Sequence, residues 1–116
     1  MKPLIIAIIG LMIGVVLGLY LPITYPTSYS LYMSVAILAA LDSVFGGIRS
    51  HMEGRFNSTI FVTGFFGNAI LAGILAYIGD RLGVPLYYAA IFAFGGRLFQ
   101  NFAMIRRYLI ERISKK

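Results

Sequence analysis

The chain has 116 residues, 59% of them hydrophobic and 12% charged, with no cysteine and a formal net charge of +6, and its mean hydropathy is +0.86. A soluble domain carries about 25% charged residues to cover its exterior, so this composition excludes an ordinary water-soluble fold and predicts a small all-α membrane protein with the lipid bilayer as its solvent. Disulfide, thiolate and cysteine-ligated metal chemistry are excluded with the cysteines, and the ten Lys and Arg gather at the ends of apolar runs instead of interleaving with aromatics, which argues against nucleic acid.

A membrane span takes about 20 apolar residues. Four runs approach that length, at about 4–21, 31–48, 60–79 and 86–105, giving one four-helix transmembrane domain followed by a basic tail, 106–116. The first run follows Lys2 and is longer than the roughly 7–15 apolar residues of a signal peptide, with no A-x-A site after it, so it is expected to be retained. Its "GLMIGVVLG" spaces Gly10, Gly14 and Gly18 by four, which puts them on one face and lets a second backbone approach. That second helix belongs either to the same chain or to another subunit.

The second run contains "AALDSVFGGIRS", residues 39–50, which places Asp42 among apolar residues. A lone charge near a span centre costs about 2.5–3.5 kcal/mol, so Asp42 needs a partner. The third run supplies Asn68, and the fourth supplies Arg97, Gln100 and Asn101. Counted at 1.5 Å per residue from the inner ends, Asp42 lies about 10 Å deep, and Asn68 and Arg97 lie about 13 Å deep. An inner-leaflet polar cluster of these five side chains is predicted, with Asp42 facing Arg97 across a seam of small residues such as Ala39, Gly46 and Gly96. Such a cluster either fixes helix register or forms a binding or permeation site; the third reading is an Arg97 that snorkels to the cytoplasmic interface with no partner.

The connections carry turn residues: Pro22 and Pro26, then Gly54 and Asn57, then Gly83 and Pro85. In the second of them, His51, Glu53 and Arg55 read as a solvated loop. The tail "MIRRYLIERISKK" directs Arg106, Arg107, Arg112, Lys115 and Lys116 toward anionic lipid at the cytoplasmic face. Arg107–Glu111 and Glu111–Lys115 have the i,i+4 spacing that supports a helix.

Eight Lys and Arg outside the runs fall on one side and only Arg81 on the other, so both termini are predicted to be cytoplasmic in a multi-pass protein of the bacterial plasma membrane. Tyr20, Tyr25, Tyr29, Tyr32, Tyr77, Tyr87 and Tyr88 gather at the outer interface, in keeping with that orientation. A shift of 55 residues lays "SLYMSVAILAALD" over "PLYYAAIFAFGGR" and Asp42 over Arg97, the pattern of a duplicated helical hairpin.

The segment from residue 41 to residue 107 resembles the small basic family of bacterial membrane proteins, through "LDSVFGGIRS", "GFFGN", "GDRLG" and "FGGRLFQN". Members occur mostly in Gram-positive and related bacteria, often encoded beside division and cell-wall genes, so the resemblance implies an envelope role without a biochemical activity. No nucleophile–base pair, metal site or cofactor motif is visible; "HMEGR" lacks the second histidine of a zinc protease motif, and His51 is the only histidine. The expected function is therefore a non-enzymatic scaffold or interaction protein of the envelope or division machinery, forming homo-oligomers or binding other membrane proteins. The alternative is a small oligomeric transporter or channel. The strong Lys/Arg bias and the absence of a carboxylate in the first run set the chain apart from dual-topology multidrug transporters.

Overall fold

The computed structural model describes residues 2–21 and 29–115. They form four helices and no strand: α1 Lys2–Tyr20, α2 Ser30–Met52, α3 Ser58–Leu82 and α4 Tyr87–Ser114. Pro22, Tyr25, Pro26 and Lys116 lie outside the described residues.

The helix ends follow local chemistry. Asn57, in extended conformation with φ −130°, caps α3 by accepting a hydrogen bond from the Ile60 amide at 3.0 Å. Gly83 ends α3 in the left-handed region at φ 73°, which a residue without Cβ adopts without strain, and Pro85 prevents continuation. Two ends depart from the predicted runs. α2 continues to Met52, and α4 continues past residue 105 through the basic tail, in keeping with its i,i+4 spacing, because Arg, Leu, Ile and Glu there favour helix and no glycine or proline interrupts them.

α2 is the central helix: α3 and α4 pack along it, α3 and α4 barely touch each other, and α1 leans on α2 and α3 through a few residues. Small residues make the close approach possible. Val35 and Ala39 of α2 meet Ala72 of α3 and Ala90 and Phe94 of α4 in one buried cluster. Where a Cβ would stand on Gly47, the Phe61 ring is already 2.9 Å away and a Leu4 methyl 3.1 Å away. At the far end, Tyr32 donates a hydrogen bond to Asp80 Oδ2 at 2.5 Å, tying the start of α2 to the end of α3. The predicted duplication pairs α1 with α2 and α3 with α4, yet the extensive packing runs between those halves, through α2.

Of the two partners expected for the glycine face of α1, no described helix of the same chain fills the place. Among the described residues, a Cβ added at Gly10, Gly14 or Gly18 meets no atom within 4 Å. The reason is that α1 is anchored near its start, where Leu4 is buried, and most of the side chains beyond are exposed. Gly10 and Gly14 line an apolar groove of about 780 Å³, faced across α3 by Phe61, Phe65 and Phe66.

Large apolar side chains cover the outside, with Phe92 76%, Phe99 75% and Leu19 75% exposed. A soluble monomer rarely exposes contiguous apolar surface beyond a few hundred Å². α2 and α3 are each long and apolar enough to cross a membrane, and the apolar part of α1, Leu4–Tyr20, is shorter.

Candidate functional site

Asp42 sits on the face of α2 that α4 covers and is completely buried. Asn101 of α4 donates from Nδ2 to Asp42 Oδ1 at 3.1 Å. Gly46, one turn further along α2, makes room for that amide, since Asn101 Nδ2 stands 3.4 Å from the place a Cβ would occupy. Arg97 lies one turn before Asn101 on the same face of α4, which brings its Nη2 to 3.1 Å from Asp42 Oδ2. The ion pair is not aligned as a hydrogen bond, so Oδ2 accepts none, and the buried Ser43 hydroxyl beside it also lacks a partner. Arg97 is half exposed, and its guanidinium lies 5.7 Å from the centre of the Phe94 ring.

The network continues toward the α2–α3 turn. Arg49 donates from Nη1 to Asn101 Oδ1 at 3.2 Å and from Nε to Glu53 Oε2 at 3.3 Å. Tyr108 of α4 donates to the same Glu53 oxygen at 2.5 Å, and Arg55 donates to the other. Arg55, Glu53, Arg49, Asp42 and Arg97 thus alternate in sign, with Asn101 as the neutral link between Arg49 and Asp42. Three guanidiniums against two carboxylates leave one net positive charge.

Glu53 corrects the expectation of a solvated loop, because its side chain is only 15% exposed and bonded on three sides. The bond from Arg55, then those from Tyr108 and Arg49, lower its carboxyl to about 2 against a smaller opposing effect of burial. His51 lies exposed in the last turn of α2.

Of the five residues predicted to cluster, Asp42, Arg97 and Asn101 are in direct contact. Asn68 and Gln100 join them only as part of the wall of a cavity of about 490 Å³ between α2, α3 and α4. Arg106, Arg107, Arg112 and Lys115 are exposed on the last turns of α4, and the described ion pairs include neither Arg107–Glu111 nor Glu111–Lys115. On an exposed helix end each charge is satisfied by solvent, and pairing adds little. No cluster of His, Asp and Glu able to hold a metal occurs among the described residues.

Sequence reasoning missed Arg49, Glu53 and Tyr108. The i,i+4 spacing of Arg49 and Glu53 was a usable signal; Tyr108 offered none, because its partner lies 55 residues away in sequence.

The model of a family described as "Protein of unknown function (DUF1290)" matches residues 25–110, a stretch that holds the whole network and excludes α1. The chain is 57% identical over 89 residues to the "Small basic protein" of Bacillus subtilis (strain 168), covering 75% of this chain and 74% of that one. It is 44% identical over 80 residues to an uncharacterised protein of Mycobacterium tuberculosis (strain H37Rv), covering 67% of this chain and 66% of that one. No solved structure matches the chain. By its match over residues 25–110, the chain belongs to the DUF1290 family.

Proposed function

We propose that the chain is a four-span protein of the bacterial plasma membrane, with both termini and the α2–α3 turn cytoplasmic, acting as a non-enzymatic scaffold or interaction protein of the envelope or division machinery. At 1.5 Å per residue, the 19 residues of α1 reach about 28 Å and the 28 of α4 about 42 Å, against a hydrocarbon core of about 30 Å. Arg49, Arg55 and the basic end of α4 stand at one end of the bundle, with Arg81 at the other, so the positive-inside bias orients it. The envelope role is what the family resemblance implies. The non-enzymatic part of this reading rests on the engagement of Arg49 with Glu53 and of Asp42 with Asn101 and Arg97.

The observation that carries this reading is the open glycine face of α1. Gly10 and Gly14 line an apolar groove and touch no described side chain, which is what a helix kept for lateral association presents. A second copy is the proposed first partner. Site-directed crosslinking in membranes tests this: Gly14→Leu is expected to abolish the dimer while leaving monomer stability unchanged, and an unaltered assembly overturns the assignment.

The second reading, a small oligomeric transporter or channel, draws on the cavity beside Asp42. Its walls include no residue from the Tyr32–Asp80 end, so a path across the bilayer would require more than one subunit. Proteoliposome flux that depends on Asp42 would favour it.

A further inference from the structure

The cavity of about 490 Å³ has chemistry that helix packing alone does not use. Asp42 is completely buried, and its Oδ2 accepts no hydrogen bond; neighbouring Ser43 has a buried hydroxyl without a partner. A buried polar atom left unpaired costs about 1–3 kcal/mol, so the Ser43 hydroxyl calls for a partner from something that enters, and Asp42 Oδ2, held only by the ion pair with Arg97, has room for a donor. Asn68 and Gln100 also line the cavity, and among the described residues neither side chain makes a hydrogen bond. Amides beside a carboxylate and a hydroxyl form a surface suited to hydroxyl groups, which both donate and accept. The charges add a second requirement. The network carries one net positive charge, and the guanidiniums of Arg49 and Arg97 both line the cavity, as donors whose planar fork suits a phosphate.

From these walls we propose that the cavity binds a singly charged, hydroxylated phosphodiester, the chemistry of a phosphatidylglycerol headgroup. The hydroxyls lie toward Asp42, Ser43 and Asn68, and the phosphate lies toward Arg97 and Arg49. Arg97 is the movable part: it covers Asp42 Oδ2 from a side chain that is 55% exposed, and by turning toward the phosphate it opens that oxygen to a hydroxyl. This site is distinct from the exposed basic end of α4, which attracts any anionic lipid.

The lipid source rests on the cytoplasmic-leaflet placement proposed above, whereas the chemistry of the cavity does not. The test uses the full chain in neutral detergent and two lipids of equal charge, phosphatidylglycerol and phosphatidylmethanol, the second lacking hydroxyls. Native mass spectrometry is expected to show phosphatidylglycerol bound about tenfold more tightly, about 1.4 kcal/mol. Asp42→Asn is expected to bring phosphatidylglycerol down to the phosphatidylmethanol level although it makes the protein more positive. Surface electrostatics predicts the opposite sign for that variant, so equal binding of the two lipids by the unaltered chain, or tighter phosphatidylglycerol binding by Asp42→Asn, overturns the proposal. Should Asp42→Asn fail to fold, Asn68→Leu must reduce the preference in its place, and a preference that survives it overturns the proposal too. Glycerophosphoglycerol, the free headgroup, separates the sources: competition shows that the site takes a soluble ester, and a preference confined to lipid assigns it to the headgroup. Because this arm needs no bilayer, a wrong topology leaves it readable, while a correct topology with no preference between the lipids removes only the site.

Discussion

α1 and α2 are both rich in small residues, yet they use them in opposite ways. Along α2, Ala39, Gly46 and Gly47 are filled by their neighbours: Ala39 by the α3–α4 core, Gly46 by the Asn101 amide and Gly47 by Phe61 and Leu4. Along α1, a Cβ added at Gly10, Gly14 or Gly18 would meet no described atom within 4 Å beyond the helix's own backbone. The spacing of small residues therefore tells which face permits close approach, while the occupant is decided elsewhere, by what the neighbouring helices bring to it. For α2 those neighbours supply a ring, a methyl and an amide from the same chain. α1 also lies outside the residues that the family model matches, whereas α2 and its network lie within them.

The contrast makes the two helices respond differently to substitution. Removing the cation that faces Asp42 on the α2 side should be most damaging. Arg97→Ala leaves Asp42 as a buried charge without its partner, which typically costs about 3–5 kcal/mol. Asp42→Ala should cost less, because a half-exposed Arg97 can turn its head toward the interface. The double variant should regain part of the loss. Thermal unfolding in detergent reads this cycle, and simple additivity would mean that the two side chains are energetically independent.

Overpacking comes next. Gly47→Val places methyl groups where the Phe61 ring already lies 2.9 Å from the position of a Cβ, and such insertions typically cost about 1–3 kcal/mol. A melting temperature equal to that of the unaltered chain would show that Phe61 yields freely.

Acid provides a gentler probe of the same end. The Glu53 carboxyl is lowered from 4.5 to about 2, so its folded value lies below its unfolded one. The stabilisation it provides is fully present above about pH 4.5 and is lost as the pH falls toward 2. Melting temperature should decline across that window, and decline less for Glu53→Gln. Parallel curves for the two proteins would show that the clamp from Arg55, Tyr108 and Arg49 is not felt in stability.

The smallest effect belongs to α1, where Gly14→Leu enters open space and should change monomer stability by less than about 0.5 kcal/mol. A large loss would mean that the glycine face is closed within the chain.

What could be read in advance follows from the kind of information each feature needs. The four helices were legible because apolar runs and their turn residues are local. Asp42 and Arg97 were brought to one depth by counting a fixed rise along two helices. That count could not say that Asn101 would take one carboxylate oxygen and Arg97 the other, since this depends on how α4 is rotated against α2. Glu53 looked solvated because its loop is short and polar. It is enclosed by Tyr108 from the continuation of α4, and the basic composition of that stretch had suggested a lipid-facing tail. The glycine face of α1 showed its spacing but carried no sign of whether a neighbour would cover it.

The reading as a whole depends on a bilayer that places the ionic network on the cytoplasmic side, and the chain's lack of cysteine makes that directly measurable. Val84→Cys, at the exposed α3–α4 turn, and Ser114→Cys, at the end of α4, each introduce the sole thiol. In intact cells a membrane-impermeant maleimide should label Val84→Cys at once and Ser114→Cys only after the cells are opened. Labelling of Ser114→Cys in intact cells, or protection of Val84→Cys until lysis, would contradict the orientation and with it the cytoplasmic placement of the Asp42 network.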